Sequence, residues 1–329
     1  MRQLHLLFFF FTVLTASAQV TQKRTLSMLG SPFEMIVVAK DIPEADSYID
    51  MAVAEVSRIE HLISDWIPTT PISEVNRNAG IKPVKVPQEV FDLVGRAMKI
   101  SELTSGAFDI SYASMDKIWR FDGSMTRMPT PEEIKNSVSK VGYKNIILDP
   151  KNTTIFLKNE GMKLGLGGIG QGFIADKIKA MLVAKGVVAG IVNISGDINT
   201  WGKQLDGEKW KVGIKNPMNK DKIFATFPLE DSSVETSGSY EKYVTFNGKR
   251  YSHIIDTRTG YPASGVISVS VFAKSTELAD ALATGIFVLG VDVGLDLVNQ
   301  LPGIGCIYVD DKGKISTSKN IDLKNYKNE

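Results

Sequence analysis

The stretch GLGGIGQGFIAD, residues 165–176, decides which class of fold this sequence encodes. Its first six residues, Gly165 to Gly170, match G-x-G-x-x-G, a pattern that places a dinucleotide pyrophosphate at a helix N-terminus when it joins a strand to a helix. Three interpretations of the glycines are open. They form a Rossmann-type loop, a purely structural turn, or a loop whose bare backbone approaches a phosphate or a metal ion.

The residues on either side of the glycines favour the last of these interpretations. MKLGL (162–166) predicts a short strand and GFIADKIKAMLVAKG (172–186) a helix that ends at Gly186, as a Rossmann unit requires. The next predicted strand, however, runs into Ser195-Gly196-Asp197, a glycine-containing turn instead of a single acid for a ribose. VETSGSYEKY (234–243) is a second turn-like stretch. Either turn is able to present backbone N–H groups or hydroxyls to a ligand.

Patterns typical of strands and of helices follow one another along the rest of the chain. Apolar residues at helical spacing from Ile49 to Trp66 predict a helix, Thr130 and Glu133 form the capping box of another, and Asn247-Gly248 predicts a type I′ hairpin turn. The predicted elements are a strand at 28–40, a helix at 43–66, a polar loop at 68–80, helices at 88–103 and from 130, strands at 152–158 and 187–196, a hairpin at 243–255, a helix at 275–290 capped by Ser275, and a hairpin at 306–316. They predict an α+β fold, arranged as one compact unit or as two subdomains.

Residues 1–18, MRQLHLLFFFFTVLTASA, predict a secretory signal peptide. An apolar run from Leu6 to Leu14 precedes Ala16-Ser17-Ala18, so cleavage is expected before Gln19, with residues 19–329 as the mature domain. The run is too short to span a membrane. Because no cysteine follows it, we expect no lipid anchor and a soluble protein in the periplasm or elsewhere outside the cytoplasm.

Composition excludes some classes of protein. Charged residues make up 23% and apolar residues 43% of the chain, which indicates a globular protein. The formal net charge of +1 argues against nucleic acid as a partner. The single cysteine, Cys306, lies in the apolar run IGCIYV (304–309), so we expect neither an intramolecular disulfide nor a catalytic thiolate.

Asp280 and Thr284 lie one helical turn apart in STELADALATGIFVLG (275–290), so their side chains share one face of the predicted helix. Their neighbours are mainly apolar, and a carboxylate in such surroundings needs a compensating partner. Either Asp280 accepts a hydrogen bond from a neighbouring backbone group, or its carboxylate and the Thr284 hydroxyl hold a hard cation. The spacing alone leaves both interpretations open.

Two histidines follow the predicted leader, His61 and His253. His61 follows Glu60 in an amphipathic helix and is expected to be solvated. His253 stands at the end of the predicted hairpin, in YSHIIDTRTGYP (251–262), with Asp256 nearby. It serves there either as a general base or as a structural residue.

Taken together, seven stretches of the chain resemble the ApbE family, the FAD:protein FMN transferases. They are SEVNRNAG (73–80), SGAFDISY (105–112), LGLGGIGQGFIAD (164–176), NISGDI (193–198), ETSGSY (235–240), HIIDTRTGYP (253–262) and ADALATGIFVLG (279–290). One such stretch would be weak evidence, whereas seven in the family's order are specific. The resemblance extends from LGSPFEM (29–35) to ATGIFVLG (283–290).

The resemblance implies a Mg²⁺-dependent enzyme that cleaves the pyrophosphate of FAD. FMN would be attached through a phosphoester bond to a Thr or Ser of a target protein, with release of AMP. The metal would be held by Asp280, Thr284 and the backbone carbonyl of Gly168, and His253 would be the candidate base. The flavin nucleotide would contact Leu29, Trp66, Ala107, Phe108, Asp109, Gly165, Gln171 and Ile254.

The sequence departs from the family's pattern at three places. Gly165 stands where the family often has Asp, Gln171 where it often has Lys, and Leu29-Gly30-Ser31 where it has Met-Gly-Thr. The change at Gly165 removes a possible nucleotide contact. Two alternative functions also stay open: a pyrophosphatase that hydrolyses FAD to FMN and AMP, and a non-catalytic flavin-binding protein outside the cytoplasm.

Overall fold

The computed structural model describes residues 19–240 and 242–325, so the predicted signal peptide, residues 1–18, lies outside the described residues. The α-helices are α1 (Ile42–Ile63), α2 (Pro71–Arg77), α3 (Gln88–Leu103), α4 (Pro131–Ser137), α5 (Gly170–Ala184), α6 (Thr276–Leu289) and α7 (Val291–Val298). The strands are β1 (Val20–Met28), β2 (Ser31–Ala39), β3 (Val84–Lys85), β4 (Ile146–Asp149), β5 (Thr154–Leu157), β6 (Ala189–Ile194), β7 (Asp197–Trp201), β8 (Trp210–Asn216), β9 (Asn219–Leu229), β10 (Ser233–Gly238), β11 (Tyr243–Phe246), β12 (Lys249–Ser252), β13 (Ile255–Asp256), β14 (Tyr261–Pro262), β15 (Val266–Ala273), β16 (Gly305–Asp310) and β17 (Ile315–Thr317).

The main sheet has eight strands in the order β1-β2-β6-β7-β10-β15-β16-β17, and neighbouring strands in it run antiparallel. A Rossmann unit needs parallel strands joined by a helix, so this sheet excludes the Rossmann interpretation of the glycines. The short strand predicted at MKLGL is wrong, because residues 162–166 are not in a strand and lead into the turn before α5. The prediction of an α+β fold is confirmed.

Four helices cover one face of the main sheet. α1 contacts β1 and β2, α5 contacts β6 and β7, α6 contacts β10 and β15, and α7 contacts β16. The largest apolar core lies between these helices and the sheet and includes Phe33, Phe173 and Phe287, each at most 1% exposed. Because α5 and α6 lie side by side in this layer, the glycine loop that precedes α5 faces the middle of α6.

The hairpin of β8 and β9 packs on the opposite face of the sheet. Its Val212 and Phe227 share a second apolar cluster with Ile198 of β7 and Val234 of β10. Side chains alternate between the two faces of a strand, so the residues adjacent to Ile198 and Val234 point toward the helices. Because of this alternation, the carboxyl groups of Asp197 and Glu235 point toward the helices.

Several local predictions are confirmed. Thr130 and Glu133 form the capping box at the start of α4, and Ser275 caps α6 by accepting a hydrogen bond from the Leu278 N–H. Asn247 and Gly248 have φ angles of 50° and 75°, as both central residues of a type I′ turn require. The predicted helix at 88–103 coincides with α3.

Two loop predictions are wrong. The polar stretch at 68–80 contains α2, because Thr70 accepts a hydrogen bond from the Ser73 N–H as an N-cap and Pro71 begins the helix. The stretch VETSG lies within β10, where pairing with β7 and β15 extends it. Polar residues can form a strand when its neighbours supply the backbone partners, and a single sequence does not show those neighbours.

Cys306 is fully buried in β16. Burial raises the pKa of its thiol to about 12, so the thiol stays protonated at neutral pH. This agrees with the prediction that it is not a catalytic thiolate.

Candidate active site

Two cavities meet at the glycine loop, residues 165–169. The first, called here the aromatic cavity, has a volume of about 390 Å³ and is lined by Phe108, Tyr112 and Trp119. The second, the acidic cavity, has a volume of about 810 Å³, and its lining includes the acidic residues Glu34, Asp197, Glu235 and Asp280 as well as Lys215 and Lys242. The residues that line both are Gly167, Gly168, His253, Ile254 and Thr284. These shared residues make the two cavities the halves of one site.

The glycines of the loop allow its backbone to touch the walls of both cavities. A Cβ atom on Gly168 would lie 3.3 Å from Oγ1 of Thr284 and 3.4 Å from a ring carbon of Phe108. A Cβ atom on Gly167 would lie 2.9 Å from the hydroxyl of Tyr112. Side chains at these positions would push the loop away from its neighbours. The geometry therefore favours the interpretation of a loop that lets its backbone come close to a ligand.

Asp280 of α6 is only 5% exposed, and its Oδ2 accepts a hydrogen bond from the Gly172 N–H at 3.1 Å. The backbone hydrogen bond considered for this carboxylate is therefore present. It uses one carboxylate oxygen, and Asp280 also lines the acidic cavity together with Thr284, one turn further along α6. The cation interpretation is compatible with this geometry because the second oxygen has ligand capacity left.

Gly172 of α5 packs tightly against the start of α6, and we expect Gly172→Ala to destabilise the fold by about 3 kcal/mol, the upper end of overpacking costs. A Cβ atom there would lie 2.4 Å from the backbone oxygen of Thr276, which has no flexible side chain to yield. Urea unfolding measures the change. The matched control is Gly95→Ala in α3, where the nearest atom is Leu148 Cδ1 at 3.6 Å. There we expect no loss of stability, and equal stability of both variants would contradict the close packing.

Two carboxylates that the sequence analysis did not select, Asp197 and Glu235, lie beside Asp280. One oxygen atom from each of the three lies within 4.8 Å of the others. Burial, followed by the charges of Asp280 and Glu235, raises the pKa of Asp197 well above its usual value, and burial with the charge of Asp280 does the same to the pKa of Glu235. Burial also raises the pKa of Asp280 to about 7. Burial and mutual repulsion thus favour the protonated, neutral forms of these carboxyl groups, and a bound cation would favour their ionised forms.

His253 lies at the junction of the two cavities. Its Nδ1 is 3.1 Å from the carbonyl oxygen of Lys242. A carbonyl oxygen only accepts, so Nδ1 donates this bond and Nε2 is the unprotonated nitrogen of the neutral ring. The carboxylate of Asp256, its predicted neighbour, is bonded to Arg258 through Nε at 2.8 Å and Nη2 at 2.9 Å. The imidazole is therefore oriented by a backbone carbonyl, with its basic nitrogen defined.

The residues predicted to contact the flavin nucleotide are only partly brought together. The aromatic cavity is lined by Ala107, Phe108, Asp109 and Gly165, the acidic cavity by Gln171, and both by Ile254. Leu29 and Trp66 line neither cavity. The indole of Trp66 is 77% exposed, and its ring centroid lies 4.5 Å from Nζ of Lys117, which does line the aromatic cavity.

Both carboxylate oxygens of Asp109 accept hydrogen bonds from neighbouring protein groups. Its Oδ1 accepts hydrogen bonds from the N–H and Oγ of Ser111 at 2.8 Å and 2.6 Å, and its Oδ2 accepts one from the Tyr143 N–H at 2.8 Å. These bonds cap the short 3-10 helix Ile110–Ser114 and hold the wall of the aromatic cavity in place.

Comparison with known proteins decides the family. The ApbE family model matches residues 29–308 of this sequence. The chain belongs to the ApbE family. The family predicted from the seven sequence stretches is therefore confirmed, and so is the prediction of an enzyme of the transferase class.

ApbE proteins of several bacteria resemble this chain over most of its length. A FAD:protein FMN transferase of Treponema pallidum is 32% identical over 265 residues, which cover 76% of this chain and 73% of that protein. One of Klebsiella pneumoniae is 29% identical over 284 residues, covering 86% and 87%. The crystal structure of the ApbE protein of Thermotoga maritima superimposes with a TM-score of 0.84 at 30% identity, covering 94% of this chain and 100% of that one. The apo flavinyl transferase ApbE of Pseudomonas stutzeri gives 0.81 at 26%, covering 92% and 95%.

Two departures of this ApbE protein from the family's pattern have structural counterparts. A Cβ atom on Gly165 would lie 3.0 Å from both Cζ and the hydroxyl of Tyr112, so Tyr112 occupies the space that a side chain at this position would take. Gln171 donates a hydrogen bond from Nε2 to Oγ of Ser31 at 3.2 Å. Gly165 therefore leaves room for Tyr112, and Gln171 is held by a hydrogen bond to Ser31.

Proposed function

We propose that this protein is a Mg²⁺-dependent FAD:protein FMN transferase that acts outside the cytoplasm. It cleaves the pyrophosphate of FAD, attaches FMN through a phosphoester bond to a Thr or Ser hydroxyl of an acceptor protein, and releases AMP. The names of its relatives support this activity. The signal-peptide pattern at residues 1–18 supports the location, and no helix among residues 19–240 and 242–325 is long and apolar enough to cross a membrane.

The observation that carries the proposal is the junction of an aromatic cavity with an acidic one at the glycine loop. FAD joins a flat flavin ring to a charged pyrophosphate, and the site offers the same two environments side by side. Phe108 and Tyr112 line the half that suits the ring. The backbone of Gly167 and Gly168 borders both halves, where the pyrophosphate would lie.

The residues of the acidic cavity fit a divalent cation. Asp280 offers a carboxylate oxygen, Thr284 a hydroxyl and Gly168 a backbone carbonyl, all oxygen ligands of the kind that Mg²⁺ prefers. The absence of a Cβ on Gly168 is what allows its backbone to lie against Thr284. We assign Mg²⁺ to these three residues. When bound, the cation would neutralise the charge of the pyrophosphate and of the leaving AMP oxygen.

His253 is the residue that we assign as the base. Its Nε2 would take the proton of the acceptor hydroxyl, whose oxygen then forms the bond to the FMN phosphorus while the bond from that phosphorus to the AMP oxygen breaks. Phosphoryl transfer depends mainly on positioning and on charge neutralisation, so few groups are needed for it. The bond from Nδ1 to the Lys242 carbonyl holds the ring in the required tautomer.

FAD is expected to bind at least ~10-fold more tightly than FMN or riboflavin, because only FAD fills the aromatic and acidic halves together. Titration calorimetry with each flavin in the presence of Mg²⁺ measures the three affinities. NAD serves as the control ligand and should bind poorly, since it has the pyrophosphate but lacks the flavin ring. Equal affinity for riboflavin and FAD would contradict the assignment of the acidic half to the nucleotide.

The function itself is tested by incubating the protein with FAD and Mg²⁺, with and without a flavin-acceptor domain, and analysing the products by mass spectrometry. We expect the acceptor to gain the mass of FMN less one water and AMP to appear in equal amount. An acceptor whose target Thr or Ser is replaced by Ala is the matched control and should stay unmodified. Free FMN and AMP in every arm would identify a pyrophosphatase, and intact FAD in every arm would identify a binding protein.

A further inference from the structure

Residues 162–166, which lead into the glycine loop, have the burial pattern of a strand but belong to no strand. Met162 and Leu164 are fully buried and Leu166 is 3% exposed, whereas Lys163 between them is exposed. Side chains that alternate in this way are typical of a strand, whose backbone groups are satisfied by its neighbours. No strand among the described residues pairs with this segment. Its backbone N–H and C=O groups, so close to the core, therefore need other partners.

Two polar side chains supply these partners. The Leu164 N–H donates to Oδ1 of Asn76 at 2.7 Å, and Nδ2 of Asn76 donates to the Leu164 carbonyl at 3.0 Å. The Lys163 N–H donates to Oγ of Ser114 at 2.7 Å, and this hydroxyl donates to the Lys163 carbonyl at 3.1 Å. Each side chain therefore holds one residue by both of its backbone groups, as a neighbouring strand would. We call Asn76 and Ser114 the loop clamp.

The loop clamp holds the chain directly before the glycine loop, and backbone bonds hold the loop itself at its two ends. The Gly165 N–H donates to the Ile110 carbonyl at 2.8 Å. At the other end the N–H of Gly170, the first residue of α5, donates to the Leu166 carbonyl at 2.7 Å. The backbone between these bonds borders both cavities. The loop clamp therefore acts on one end of a short segment whose other end is fixed by α5.

Neither residue of the loop clamp lines a cavity, so neither is placed to touch a ligand there. Ser114 is the last residue of the 3-10 helix Ile110–Ser114, and this helix also carries Tyr112, which lines the aromatic cavity. Asn76 belongs to α2. The loop clamp thus ties the chain before the glycine loop to the wall of the aromatic cavity through one residue and to α2 through the other. Loss of either residue would let the loop move relative to that wall.

We propose that Asn76 and Ser114 are positioning residues for FAD, which set the place of the glycine loop at the junction of the two cavities without touching the nucleotide. The proposal rests on the proposed function, in which the backbone of this loop lies at the pyrophosphate. Backbone groups of the loop bind the pyrophosphate only while the loop occupies the right position. A loop that also populates other positions binds FAD more weakly, in proportion to the time it spends in them.

The test compares Asn76→Ala and Ser114→Ala with the wild type in two measurements. Calorimetry with FAD and Mg²⁺, well below the melting temperature, should give about 10-fold weaker affinity for each variant, because its loop is in the competent position for only part of the time. Hydrogen exchange of peptides from residues 163–169, without FAD or Mg²⁺, should be at least ~10-fold faster. A merely structural role would lower the melting temperature and leave the FAD affinity of the folded protein unchanged.

Asn78→Ala is the matched control. Asn78 is half-buried like Asn76 and lies two residues further along the chain, at the end of α2. Its Nδ2 donates to the Glu74 carbonyl of the same helix at 2.9 Å and not to the segment before the glycine loop. We expect Asn78→Ala to match the wild type in FAD affinity and in the exchange of residues 163–169.

Two results would overturn the proposal. One is FAD affinity in both variants as tight as in Asn78→Ala, and the other is exchange of residues 163–169 as slow in both variants as in that control. If Asn76→Ala does not fold, Ser114→Ala alone decides by the same two measurements. Because the exchange measurement uses no ligand, a failure of the loop clamp is distinct from a failure of the proposed function, which the wild type reports in the acceptor experiment.

Discussion

Replacing Asp280 with Asn is expected to lower the rate of FMN transfer by about 10³-fold and to leave the fold intact. The Asn amide oxygen can still accept the hydrogen bond from Gly172 but carries no charge for a cation. Losing a charged metal ligand removes several kcal/mol of charge stabilisation, and about 4 kcal/mol corresponds to ~10³ in rate. AMP release with FAD, Mg²⁺ and acceptor measures the rate, and circular dichroism melting measures the fold.

Two variants of α6 separate a metal ligand from a structural carboxylate. Thr284→Val removes a neutral ligand and should reduce the rate less than Asp280→Asn. Glu277→Gln removes a carboxylate that is 8% exposed and paired with Arg96, so it should leave most of the activity. The cation assignment would be wrong if Asp280→Asn turned over at nearly the wild-type rate and melted at a lower temperature. We expect its melting temperature to be unchanged or higher without Mg²⁺, because one of three neighbouring buried carboxyl groups, whose ionised forms would repel one another, is gone.

Local structure was predictable where a few adjacent residues determine it. The capping box of α4 needs only Thr130 and Glu133, and the turn between β11 and β12 needs only two residues that tolerate positive φ, Asn247 and Gly248. The Asp280–Thr284 pair was found for the same reason, since helical periodicity places both side chains on one face. Each of these features is confined to one or two turns of the chain.

The cluster of three buried carboxyl groups, Asp197, Glu235 and Asp280, was not predictable in this way because it depends on which strands pair. In the sequence, Asp197 and Glu235 each stand in a polar, turn-like stretch, and only the β7–β10 pairing brings them to the same place. A weak signal was present in the sequence. Each acid precedes or follows an apolar residue, Ile198 or Val234, that faces the opposite side of the sheet. The alternation shows that the acid faces the helices but not what it meets there.

The glycine loop shows the same division between local pattern and topology. The hexapeptide from Gly165 to Gly170 indicated a close backbone approach, and the contacts of Gly167 and Gly168 have that character. What the backbone approaches depends on the packing of α5 against α6 on one face of an antiparallel sheet. Six residues do not determine that packing. The same six residues between a strand and a helix of a parallel sheet would form a different site, the dinucleotide-binding loop of a Rossmann fold.

Replacing His253 with Ala is expected to lower FMN transfer by on the order of 10²–10⁴-fold, the usual contribution of a general base. FAD binding should stay within a few-fold of the wild type, because the cavities keep Phe108, Asp280 and the glycine loop. Single-turnover transfer to the acceptor measures the loss, and calorimetry with FAD measures binding. A drop in affinity that matched the drop in rate would instead make His253 a binding residue.

His61→Ala is the matched control for this experiment. His61 is also exposed and also bonded from Nδ1 to a backbone oxygen, that of Ser57 at 2.8 Å, but it lies on α1 and lines neither cavity. Its loss should leave the rate unchanged, which shows that removing an imidazole from the surface is harmless in itself. If His253→Ala transferred FMN as fast as His61→Ala, the base would have to be sought elsewhere. Asp256→Asn would then be the next variant, although both oxygens of its carboxylate already accept hydrogen bonds from Arg258.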